Sequence, residues 1–127
     1  MASPSTDRRL ALQVGVAFKA PAQCVATTPI TLFGQQTIDG YQTLATDLTG
    51  YPTRVLVTGQ TDETTNGIYD SNDSTWSRSL DADGLNDIRQ GSLIFVTQGS
   101  YHALTMWYED LADPIIPGQS AQHWTQL

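Results

Sequence analysis

From Cys24 to its end the chain alternates short apolar bursts with polar punctuation, and no burst has the length or the 3.6-residue period of a helix. The clearest run, Arg54-Val55-Leu56-Val57-Thr58, reads as a buried strand, and residues 92–97, around Leu93-Ile94-Phe95-Val96, as a second. Residues 102–109 predict a third, with Ala103, Thr105 and Trp107 on one face and Leu104, Met106 and Tyr108 on the other. Gly67-Ile68-Tyr69-Asp70 is expected to pair with residues 74–78 across Ser71-Asn72-Asp73, making a hairpin that carries Tyr69 and Trp76. Shorter strands are expected at residues 25–27, 30–33, 35–38 and 121–126. Asp39-Gly40 and Asn66-Gly67 are turn dipeptides suited to positive φ, and residues 80–91 suggest one short helical turn near Leu85–Ile88. Strands at such regular spacing predict an all-β fold, a small antiparallel sandwich or barrel.

The segment before this module has a different pattern. Residues 1–6 are small and polar, but Leu10, Leu12, Val14, Val16 and Phe18 alternate strictly with smaller or polar residues, which predicts a strand with one apolar face. Lys19-Ala20-Pro21-Ala22 then interrupts it. The expected division is an N-terminal arm or docking strand over residues 1–23 and a β-module over 24–127. The five alternating residues are candidate interface positions on a neighbouring subunit.

Composition narrows the partners. The 127 residues carry a formal net charge of -7, with a single Lys, Lys19, and two Glu, Glu63 and Glu109. An acidic surface is repelled by phosphate backbones and anionic lipid, so neither nucleic acid nor membrane is expected as a partner. The acids are dispersed among turns rather than gathered in a tail. Cys24 is alone, which excludes an intrachain disulfide, and no Cys/His spacing suggests zinc. No apolar stretch has the length of a signal peptide's apolar region or a membrane span.

Individual residues offer little chemistry. Asp81-Ala82-Asp83-Gly84 places hard oxygens at alternating positions, but its Gly comes too early for an EF-hand loop and no closing Glu follows. His102 and His123 lack a nucleophile and an orienting carboxylate in any recognisable motif. No catalytic residue, metal ligand or cofactor is therefore assigned, and the chain reads as non-enzymatic. Trp76 and Trp124 are expected in the core. Tyr101, Trp107 and Tyr108 are left as candidates for a protein interface or a sugar-stacking platform.

The punctuation marks themselves form an ordered series. Val25-Ala26-Thr27-Thr28, Gln36-Thr37-Ile38-Asp39-Gly40, Arg54-Val55-Leu56-Val57, Asn66-Gly67-Ile68-Tyr69, Trp76-Ser77-Arg78, Asp81-Ala82-Asp83, Phe95-Val96 and Trp124-Thr125-Gln126 occur in this sequence. This series resembles a β-rich module recurrent in tail-fibre proteins of tailed bacteriophages and prophages. The stretch between Gln42 and Tyr51 and the strand around Trp107 depart from the usual pattern. The resemblance implies a structural virion component, tail or tail-fibre associated, assembled in the host cytoplasm with other virion proteins and as a homo-oligomer. It brings no catalytic residues. A capsid cement or decoration protein is the alternative within the particle, and a module binding host surface glycan is the alternative outside assembly.

Overall fold

The computed structural model describes residues 18–127, so the predicted arm positions Leu10, Leu12, Val14 and Val16 lie outside the described residues. Within them the protein is all-β. The strands are β1 (Cys24–Ala26), β2 (Thr37–Ile38), β3 (Tyr41–Gln42), β4 (Arg54–Val57), β5 (Gly67–Asp70), β6 (Ser77–Arg78), β7 (Leu93–Val96), β8 (Thr105–Glu109) and β9 (Trp124–Gln126). They form a sheet ordered β1-β4-β5-β6, the hairpin β2-β3 and a sheet ordered β7-β8-β9.

The β1-β4-β5-β6 sheet is the middle layer. Val25, Leu56 and Ile68 on one face pack with Ile94, Val96, Trp107 and Trp124 from the β7-β8-β9 sheet. Cys24, Val55, Val57 and Tyr69 on the opposite face pack with Ile38 and Trp76, against which Ile30, Leu32 and Tyr41 are laid. A strand covered on both faces needs apolar residues at successive positions, which is why β4 reads as an unbroken run. Val55, Leu56 and Val57 are each fully buried.

The two larger sheets are stitched by one stretch of chain. Residues 18–22 run parallel to the edge of β7, with Phe18 opposite Leu93 and Ala22 opposite Val96. Lys19 N donates to Leu93 O (2.9 Å) and Ala22 N to Phe95 O (2.9 Å). Gln23 N then donates to Arg54 O (2.8 Å), and β1 continues parallel to β4. The remaining pairs of named strands are antiparallel. Arg54 clamps the stitch: its guanidinium bonds Asp81 at 2.7 and 2.9 Å and Ala20 O at 3.0 Å. Ala22 is completely buried, and Lys19, Ala22 and Gln23 bond through their N–H groups to β7 and β4.

Several predicted elements differ in extent. Residues 85–87 form a turn and the helical residues are a 3₁₀ turn at Leu80–Ala82, because Gly84 and Asn86, the latter at φ +72°, do not continue a helix. Residues 30–33 form no strand beyond one bridge from Phe33 to Thr75. The expected hairpin pairs only Tyr69 and Asp70 with Arg78 and Ser77, and Trp76 lies outside the ladder. Residues 102–104 turn before β8 begins, with Leu104 at φ +61°. Asp39-Gly40 is the expected two-residue turn, with φ +50° and +77° joining β2 to β3. Asn66-Gly67 is not a hairpin turn. Asn66 is extended and buried, accepting from Gln60 N (2.9 Å) and donating to Gln122 O (3.0 Å).

Candidate functional site: an apolar outer sheet face

Several of the ordered motifs are knots of the fold. Arg78 lies over the Tyr69 ring at 5.0 Å and donates to Asn66 O (2.9 Å) and Thr64 O (2.8 Å), joining the Trp76-Ser77-Arg78 and Asn66-Gly67-Ile68-Tyr69 motifs. Asp81 holds Arg54, joining two more. Burial pushes the Asp81 carboxyl up, but the bonds and charge of Arg54, with Lys19 nearby, hold it below the ordinary carboxylate range. Asp39 accepts from Tyr101 N (3.1 Å) and His102 N (3.0 Å), tying the β2-β3 turn to the loop before β8. Asp87 accepts from Gly84 N (2.9 Å), so the run that resembles a calcium loop is closed by its own backbone.

Among the described residues no group of three His, Cys, Asp or Glu side chains converges as metal ligands do, and no helix is long and apolar enough to cross a membrane. Cys24 is buried, and burial with the Asp39 charge pushes its thiol up to about 12, so its thiolate is suppressed. His123 Nδ1 meets Asp110 at 2.7 and 2.8 Å, and Asp110 also accepts from Thr125 Oγ1 at 2.6 Å. That bond from Asp110, outweighing burial, raises the His123 pKa.

The three aromatic candidates do not form one platform. Trp107 is buried, donates through Nε1 to Thr105 Oγ1 (2.9 Å) and meets the His102 ring edge-on at 5.6 Å. It is a core residue, placed there by the inward phase of β8. Tyr101 is 88% exposed at the rim of a shallow groove of about 520 Å³ that also touches Thr27, Thr28, Asp39 and His102. Tyr108 lies on the opposite side of β8 from Trp107, half-buried.

Of the candidate interface residues, Phe18 and Tyr108 lie on the outer face of the β7-β8-β9 sheet. Register sets Phe18 beside Leu93 and Leu93 opposite Tyr108, with Phe95 opposite Met106 in the adjacent row. Leu127 continues that row, its N–H bonded to Met106 O (2.9 Å), and Leu104 stands beyond the start of β8. Phe18 is 58% exposed, Leu104 73% and Leu127 71%. A sheet with one covered face normally turns polar residues to water on the other. Here the outer side also carries Thr125, bonded to Asp110, which meets His123 at one end. Contiguous exposed apolar residues of this kind mark interaction sites. Leu93, Phe95, Met106 and Leu127 escape prediction because a strand buried on both faces and one with a sticky outer face share the same apolar run. Comparison with protein families, curated proteins and solved structures finds no match to this chain.

Proposed function

We propose that this chain is a non-enzymatic structural component of a tailed-bacteriophage particle, tail or tail-fibre associated, that assembles with other virion proteins and with its own copies through the N-terminal arm. The observation that carries the reading is the apolar outer face of β7-β8-β9, with Phe18 at its edge. An assembly subunit needs such a face, and a monomer with a net charge of -7 gains nothing from it in solution. The ordered motifs support the same reading because Arg78 joins two of them and the Arg54–Asp81 pair joins two more.

The test is composition of particles of the phage that encodes the chain, purified on a density gradient. The chain is expected in them at fixed copy number, and antibody labelling at the tail rather than the capsid separates the tail component from a capsid cement or decoration protein. Deletion of residues 1–17 should abolish incorporation and leave the module folded, whereas deletion through residue 20 also removes the backbone bond from Lys19 N to Leu93 O. A chain incorporated at wild-type level without residues 1–17 contradicts the arm's role.

A host-glycan role rests on Tyr101 beside its groove. Tyr101→Ala with unchanged host adsorption removes that reading; Trp107→Ala is uninformative because the core would be lost.

A further inference from the structure

The outer sheet face reads most fully as a seat for a particular segment. We propose that it binds residues 10–16 of a second copy of this chain, laid as an extended strand across the side chains of Leu93, Phe95, Met106, Tyr108 and Leu127. This rests on the assembly reading above and names the partner of its site.

Three observations choose this occupant. The first is phase. Phe18 pairs with Leu93 and shares its side of the sheet, while Ala22, opposite Val96, is on the buried side. Leu10, Leu12, Val14 and Val16 have the same parity as Phe18. They offer an apolar row matched to an apolar face. The second is position. The described chain begins at Phe18, on the edge of this face beside Leu93, with residues 10–16 a short tether away in sequence. The third is size. Three strands about 4.8 Å apart and at most five residues long present a footprint of no more than roughly 240 Å², well below the roughly 800 Å² per partner of a stable interface. Two bare faces pressed together are too small. Seven residues of arm, roughly 23 Å when extended, span the face and add their own surface to the contact. The arm also supplies no acid to a chain of net charge -7, since residues 10–16 carry no charge.

Cysteine pairing in the purified full-length chain tests this. Val14→Cys is mixed with Met106→Cys, each made in a separate chain, and mild oxidation follows. Cys24, buried and with a suppressed thiolate, does not compete. Disulfide-linked dimer of the two different chains is expected, about tenfold above the yield when Tyr51→Cys, an exposed site elsewhere, replaces Met106→Cys. Leu127→Cys is a second probe of the face should Met106→Cys fold poorly, and the same excess is expected. Dimers of Met106→Cys with itself alone indicate face-to-face pairing and overturn the proposal. Linkage only within one chain carrying both cysteines indicates that each face binds its own arm, and overturns it too, as does a yield equal to the Tyr51→Cys control. A clear Val14–Met106 linkage in a chain absent from particles contradicts the virion reading alone. Its absence in a chain present in particles contradicts this inference alone.

Discussion

At the residue scale the most consequential side chain is Glu109. It is fully buried on the inward face of β8, with Oε1 accepting from His123 N (2.9 Å) and Leu111 N (3.2 Å) and Oε2 without a partner. Burial, with the Asp110 charge adding to it, pushes this carboxyl from its ordinary 4.5 up to about 7, against the two backbone bonds and the His123 charge. A group whose folded pKa is raised stabilises fully below its unfolded value and loses that contribution as pH rises through the folded one. Stability is therefore expected to fall between about pH 4.5 and 7, by on the order of 3 kcal/mol from this group, and His123, also raised, extends the fall above its ordinary 6.5. Glu109→Gln should flatten that dependence and melt higher than wild type at pH 8. Melting curves across this range check it, and a Glu109→Gln protein that keeps the full wild-type slope contradicts it. Arg78→Ala removes two part-buried bonds, to the Asn66 and Thr64 carbonyls, and the contact with Tyr69, and should cost about 2–3 kcal/mol by denaturant titration.

At the element scale β4 and the stitch carry the architecture. Leu56 is fully buried in the layer between the two larger sheets, so Leu56→Ala should cost about 2–5 kcal/mol, whereas the exposed Leu48→Ala should change stability by less than about 0.5 kcal/mol. Arg54→Ala should release residues 18–23 without unfolding the sheet behind them. Hydrogen exchange then rises at the Lys19 and Ala22 amides while those of β5 stay protected; equal loss at both indicates that the stitch is not a separable element. Much of this level was legible beforehand. The runs at 54–57, 67–70 and 93–96 and the Asp39-Gly40 turn follow from local pattern alone. The parallel pairing of β1 with β4 and the crossing of one segment between sheets were not, because partner choice depends on contacts between residues distant in sequence. Residues 30–33 are apolar like a strand yet pack as an irregular cover over the middle sheet, where shape rather than period decides. Glu109 was invisible for the reverse reason: its position in the inward phase of β8 was predictable, but the closure of residues 111 and 122–124 over it was not.

At the scale of the whole molecule, the module has one covered side, where the β2-β3 hairpin and residues 30–33 close the middle sheet, and one apolar open side on β7-β8-β9. An arm from one copy on the face of the next is a heterologous contact, which closes into rings or propagates along an axis. Either outcome suits a repeated particle component. Met106→Asp, placing a charge in the middle of the face, should reduce self-association at least about tenfold in sedimentation with little change in melting temperature, since Met106 is 37% exposed. The most direct measurement is mass spectrometry of gradient-purified phage particles assembled with the wild-type chain or with Met106→Asp. The account predicts a fixed copy number for wild type and loss of the variant to the unassembled fraction. Particles that lack the wild-type chain contradict it.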